Sequence, residues 1–281
     1  MERIRQALER AEQDRSKLTE RAQTEPGREA PASEPDPVKS LHESVVEPKF
    51  NRTKIIDVSA EVLEANRLVA AIPGHELTDV YRILRTRVLQ SLNSNRWNSF
   101  AVTSPATGAG KTLTSINLAI SLAREVNRTV LLADFDLRRP SINHYFGYKP
   151  DLGVGDYLFN DAPLEDILFS PSIDRLVVLP GRESIHNSSE MLRSPKMVEL
   201  VAELKGRYAD RLIIFDLPPV LAIDDAIAFK PYTDALLLVA ENGATKREDM
   251  AATLELLKGT PIIGTVLNKS EHVNTAVYTR E

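Results

Sequence analysis

From Asn98 to Asn268 the chain repeats one pattern: a short, almost unbroken apolar run, then a stretch with helical spacing. The runs are SFAVTS, TVLLAD, LVVLP, RLIIFD, ALLLVA and PIIGTVLN, and the helical patterns TSINLAISLAREV, SPKMVELVAELKGRY and KREDMAATLELLKG lie between several of them. A strand that is apolar on both faces stays out of water only if helices cover both sides of its sheet, and parallel neighbours need the crossovers that helices supply. The pattern predicts an α/β fold: a mostly parallel sheet with helices on both faces. Such sheets bind ligands outside the carboxyl ends of their strands, so chemistry is expected along one edge. Upstream, ELTDVYRILRTRVLQSL reads as a helix with Val80, Ile83, Leu84, Val88 and Leu92 on one side. The segment TKIIDVSAEVLEANRLVAAIPG regains apolar character and should pack onto the core.

The first 22 residues spread Ile4, Ala7, Leu8, Ala11 and Leu18 at near-helical spacing among many charges, and 23–52 is a proline-rich, charged linker. The expected organisation is therefore a helical, partly disordered extension (1–22 and 23–52), one large domain (53–270) and a tail (271–281). A net charge of −5 gives no electrostatic case for nucleic acid. The absence of cysteine excludes disulfides, thiol catalysis and Cys-ligated metal. Nothing resembles a signal peptide, and the apolar runs fall well short of the ~18 residues that suggest a membrane span. The expected location is the cytoplasm.

The stretch SPATGAGKTLTSINLAISLA, 104–123, follows an apolar run and opens a helix. This is the context of a phosphate-binding loop. Gly108 and Gly110 lack a Cβ, so backbone N–H groups can turn inward around phosphate oxygens. Thr107, Gly108, Ala109, Gly110, Lys111, Thr112 and Leu113 form the nucleotide-binding stretch; Lys111 reaches the β- and γ-phosphates and the Thr112 hydroxyl reaches Mg²⁺. Pro105 replaces the first glycine of the usual G-x-x-x-x-G-K-[ST] pattern. Two further runs end in carboxylates: VLLADFDLRRP brings Asp134 and Asp136, and RLIIFDLPPV brings Asp216. The first pair lies beside the phosphate loop if the two strands are neighbours. A carboxylate at the position of Asp216 holds Mg²⁺, usually through water. Together the motifs imply binding of Mg-ATP or a close relative. Asn268, ending the last run, is read as a strand-end turn in preference to an adenine contact.

The combination SPATGAGKT, DFDLR and DLPP resembles the bacterial tyrosine kinases, cytoplasmic autokinases of capsule and exopolysaccharide export, over about Thr53 to Ser270. Related Min- and Par-type ATPases share the fold and usually carry a signature lysine where this chain has Ala106. The resemblance implies phosphoryl transfer from ATP to a tyrosine hydroxyl. In that reading Lys111 neutralises the β/γ-phosphates, and Thr112 coordinates Mg²⁺ with Asp216 and Asp134 behind it through water. Asp134 or Asp136 orients or deprotonates the phenol, and Arg138 either steadies the transferring phosphoryl group or pairs with Asp136. The family's E-x-x-R-x-x-R self-association helix is matched by DVYRILR, with Asp79, Arg82 and Arg85 at those positions and ring-like homo-oligomers as the implied assembly. An activator, a membrane-embedded polysaccharide co-polymerase on a separate chain, would recruit the kinase to the inner face of the membrane.

The family's tail is tyrosine-rich, whereas KSEHVNTAVYTRE has one tyrosine, Tyr278, the candidate phosphoacceptor between subunits. Tyr81 sits in the DVYRILR helix, and Tyr145, Tyr148 and Tyr157 follow DFDLR. The alternative function is a non-kinase ATPase switch whose nucleotide state sets assembly with a membrane partner.

Overall fold

The apolar runs are strands of one sheet in the computed structural model, which describes residues 53–125, 128–206 and 211–271. In chain order the strands are β1 (Lys54–Ile55), β2 (Ser99–Thr103), β3 (Thr129–Asp134), β4 (Phe169–Ser170), β5 (Leu176–Leu179), β6 (Arg211–Asp216), β7 (Ala235–Glu241) and β8 (Ile262–Asn268). The order across the eight-stranded sheet is β1-β4-β5-β3-β6-β2-β7-β8, and every pairing is parallel except β4 with β5. The expected α/β architecture is the observed one. The two-residue strands β1 and β4 had no pattern by which to be read. The expectations for 1–22, 23–52 and nearly all of the tail lie outside the described residues.

The helices are α1 (Ala60–Ala65), α2 (Thr78–Asn95), α3 (Lys111–Ala123), α4 (Ile142–Tyr145), α5 (Val154–Asn160), α6 (Leu164–Ile167), α7 (Ser188–Leu192), α8 (Pro195–Gly206), α9 (Asp225–Phe229) and α10 (Arg247–Leu256). They divide the core into two apolar layers. Along β3 and β6, Val130, Leu132, Leu212 and Ile214 face one layer with α2 and α3, while Leu131, Ala133, Ile213 and Phe215 face the other with α5, α6, α8 and α9. This is the period-two alternation of a strand, with both phases apolar because both faces are covered.

Helix α3 is buried along nearly its whole length, between the sheet and the segment preceding β2. Its polar residues hold that segment down. Asn117 accepts from Ala70 N at 2.9 Å and donates to Arg67 O at 3.1 Å, and Ser121 Oγ donates to Tyr81 O at 3.3 Å. In α2 the stripe facing the core is half-buried Tyr81 and Leu84 with fully buried Val88 and Leu92. Ile83, expected on that side, is 53% exposed. At about 100° per residue it lies roughly 140° round the helix from Val88.

The three DVYRILR positions also part company. Asp79 and Arg82 form an exposed ion pair at 2.7 Å. Arg85 instead turns into the molecule, donating to Ser121 O at 3.1 Å and pairing with Glu125 at 3.1 Å, against the C-terminal end of α3. A cation there meets the free carbonyls and negative pole of the helix. Arg85→Ala is expected to lower stability by ~1 kcal/mol, a fall in Tm of about 2–4 °C. Arg82→Ala should change Tm by less than about 1 °C, since exposed pairs contribute little. Thermal melts of both variants check the contrast.

Candidate nucleotide site

Strands β3, β6 and β2 lie side by side at the centre of the sheet. β2 runs into the loop 104–110, β6 ends at Asp216, and β3 ends at Asp134, which is the register partner of Asp216. The strands carrying the phosphate loop and DFDLR are thus not neighbours. Strand β6 stands between them, and Asp136, beyond the end of β3, reaches across to the loop.

Pro105 is buried, and the chain needs no N–H from it: its carbonyl accepts from Leu221 N at 3.1 Å and the Ser104 carbonyl from Val220 N at 2.9 Å. The DLPP exit and the phosphate loop therefore brace each other. Gly108 and Gly110 have φ of 84° and 87°, in the left-handed region. Gly110 precedes the first turn of α3 and no side chain caps the helix there. This end of a helix carries unpaired N–H groups and the positive pole of the dipole, which suits phosphate. Asn268, at the end of β8, donates to Ala109 O at 2.8 Å, so this strand-end residue also tethers the loop. A Cβ on Gly110 would lie 2.2 Å from Asn268 Nδ2, whereas one on Gly108 would meet nothing within 4 Å. Gly110→Ala is expected to weaken ATP binding at least about tenfold, combining left-handed strain of ~1–2 kcal/mol with that collision. Gly108→Ala carries the strain alone and should show the smaller loss in a nucleotide titration.

Lys111 lies between two carboxylates, 2.9 Å from Asp136 Oδ2 and 3.4 Å from Asp216 Oδ2. Thr112 Oγ1 donates to Asp216 Oδ2 at 2.6 Å, and Ser115 Oγ donates to Asp216 Oδ1 at 2.9 Å. Ser115 was not foreseen. Its place one helical turn after Lys111 was the available signal. Burial alone would lower the Lys111 pKa, but Asp216, then Asp136 and Asp134, outweigh it and raise it. Asp134 is fully buried; its Oδ2 accepts from Ser141 N at 2.8 Å and Ile142 N at 2.9 Å, while Oδ1 has no partner. Burial, and next the charge of Asp216, push its pKa up to about 7 against the opposing effects of the two N–H groups and Lys111. Burial also raises Asp216, opposed by Lys111 and the Thr112 and Ser115 hydroxyls.

Lysine, hydroxyl and aspartates thus converge at the N-terminus of α3. Arg138 does not join them. Its Nε donates to Ser188 Oγ at 2.9 Å and stands 4.0 Å from Asp225 Oδ2, and among the described residues it makes no pair with Asp136. Asp136 is taken by Lys111 instead. The donors fit a hydrated divalent cation carried by phosphate: one hydroxyl, two buried carboxylates and an unpartnered Asp134 oxygen.

Fold and cluster define a P-loop nucleotide-binding protein. Residues 100–281 match the CobQ/CobB/MinD/ParA nucleotide binding domain. The chain is 29% identical over 208 residues to the tyrosine-protein kinase YwqD of Bacillus subtilis, covering 73% of this chain and 86% of that one. To the tyrosine-protein kinase ptk of Acinetobacter johnsonii it is 33% identical over 189 residues, 66% of this chain but 25% of that protein. The crystal structure of the VpsO kinase domain superposes with a TM-score of 0.63 at 33% identity, covering 69% of this chain and 96% of that one. The chain belongs to the bacterial tyrosine kinases, a branch of that nucleotide-binding family.

Proposed function

We propose that this protein is an ATP-dependent tyrosine autokinase that regulates capsule or exopolysaccharide polymerisation and export. The observation that carries the reading is the position of Lys111, held between the aspartates of DFDLR and DLPP at the start of α3. Incoming β- and γ-phosphates would draw the ammonium off the carboxylates, and the backbone of 107–113 would cradle them. Thr112, with Asp216 and Asp134 behind it, would hold Mg²⁺. Bound there, it would supply positive charge to offset that of the phosphates. Asp136 keeps 6% of its surface exposed while Asp134 keeps none, which favours Asp136 as the group that orients the phenol and takes its proton. A phenol has a pKa of about 10 in water, so positioning and charge must make it reactive at neutral pH.

The acceptor we assign is Tyr278, presented by a neighbouring subunit; it lies outside the described residues. Two other tyrosines are poorly placed. Tyr81 is half-buried against the core layer, with burial pushing its pKa up to about 12, and Tyr157 is buried. Exposed Asp79 and Arg82 are available for self-association, whereas Arg85 is engaged internally. Among the described residues no helix is long and apolar enough to cross a membrane. Recruitment to the inner membrane face would run through an activator on a separate chain. Resemblance to named tyrosine kinases sets the ATPase-switch alternative behind this reading.

Intact mass after incubation with Mg-ATP tests it, for wild type and Tyr278→Phe with a membrane-activator fragment present. Phosphate gained by wild type and reduced in Tyr278→Phe is expected. Undiminished phosphate in Tyr278→Phe moves the acceptor elsewhere. ATP hydrolysis with no phosphate gain in wild type would leave the switch.

A further inference from the structure

Asn268 ends β8, a strand at the edge of the sheet, yet its side chain reaches the loop that follows β2. Nδ2 donates to Ala109 O at 2.8 Å, and because a carbonyl can only accept, the amide must turn its nitrogen to the loop. Asn268 is itself held from the side of β7. It pairs in register with Glu241, its carbonyl accepts from Asn242 N at 2.9 Å, and the next residue, Lys269, is bound to Glu241 at 2.9 Å.

The peptide that this amide grips is the one joining Ala109 to Gly110. Every peptide bond among the described residues is trans, and in a trans peptide the C=O and N–H point in opposite directions. Holding Ala109 O to Asn268 therefore turns the Gly110 N–H away from β8. Among the described residues that N–H donates to no protein group, and Asn268 is the only side chain hydrogen-bonded to either polar atom of this peptide. The Ala109 methyl is buried in the core layer with α3, which fixes the residue but not the plane of the peptide after it. Glycine at 110 accepts either sign of φ, so backbone sterics alone do not stop that peptide from turning over. A reversed peptide would present a carbonyl oxygen where an anion needs a donor.

We infer that Asn268 is a positioning residue for the nucleotide phosphates: through Ala109 it keeps the Gly110 N–H facing them. This role rests on the phosphate-loop part of the proposed function, not on transfer to tyrosine, and adds the residue that sets the loop's donor. Asn268 acts on phosphate through the backbone and not on the base.

Competition titrations of the full chain with Mg-ATP and with Mg-tripolyphosphate, which has neither base nor sugar, test it. Asn268→Ala is expected to weaken both about tenfold, the loss of one hydrogen bond to a charged group. A loss for ATP with tripolyphosphate unchanged would make Asn268 a base contact and overturn the inference, and so would no loss for either. Asn268→Asp keeps the shape and removes the donor, so it should bind tripolyphosphate no better than Asn268→Ala; tighter binding counts against the proposal. Gly110→Ala separates positioning from a general loosening of the fold. Its Cβ would lie 2.2 Å from Asn268 Nδ2 and displace the same amide. Beside Asn268→Ala it should therefore cost tripolyphosphate affinity at least about threefold less than it does in wild type. Full additivity of the two substitutions ends the positioning role. If wild type binds ATP but gains no phosphate, the kinase reading fails and these titrations still decide the role of Asn268. If tripolyphosphate does not compete with ATP in wild type, the inference falls whatever the kinase result.

Discussion

Lys111→Met is expected to abolish phosphate gain from Mg-ATP, a fall in rate of at least about 10³-fold. The ammonium is the only cation within salt-bridge distance of Asp136 and Asp216 among the described residues, so no other side chain there can take over its charge. The substitution acts on the nucleotide-free protein too. Removing one partner from a buried ion pair leaves uncompensated charge, at a cost of about 3–5 kcal/mol where the carboxylates cannot protonate. Asp216 and Asp134 already have raised pKa values with Lys111 present, so in its absence both should hold protons more readily. The variant should therefore stay folded, with a lower Tm that recovers on acidification. Intact-mass time courses and melts at pH 6 and 8 measure the two effects. Transfer retained within tenfold of wild type would remove Lys111 from the site.

Asp134 should give the nucleotide-free protein a stability that falls as pH rises. Its folded pKa is raised from 3.8 to about 7. Between those values the native state binds the proton and the unfolded state does not, so the stabilisation is complete below about pH 4 and lost as pH rises to about 7. At ~1.4 kcal/mol per unit the whole effect is about 4 kcal/mol. Asp216, also raised, acts in the same direction. Asp134→Asn removes the titrating group and can still accept from Ser141 and Ile142. Its Tm should exceed that of wild type at pH 8, by several degrees, and the difference should shrink towards pH 5. Parallel profiles for the two proteins would show that Asp134 is ionised throughout.

The sheet was legible because burial on both faces writes itself into local sequence. TVLLAD and RLIIFD are apolar at every position but the first and last, and each becomes a strand ending in its aspartate. The phosphate loop was legible for a related reason: left-handed backbone at 108 and 110 requires glycine, and the following helix announces itself by its apolar residues. Strands β1 and β4 were not, because two residues carry no period. The outward turn of Ile83 was missed because a helix with apolar residues on several sides does not say which side meets the core.

By itself, the sequence determined six of the eight strands and the longer helices, where the phosphate loop lies, and that aspartates end two buried strands. These are properties of a few adjacent residues: backbone sterics and the exclusion of apolar runs from water. Only the tertiary structure decided that β6 separates β2 from β3, that Lys111 and not Arg138 meets Asp136, that Arg85 closes α3, and that Asn268 ties down the loop. Each of those contacts joins segments distant in the chain or chooses among several possible polar partners. Such choices depend on strand order, register and the packing of whole layers, which no local pattern records.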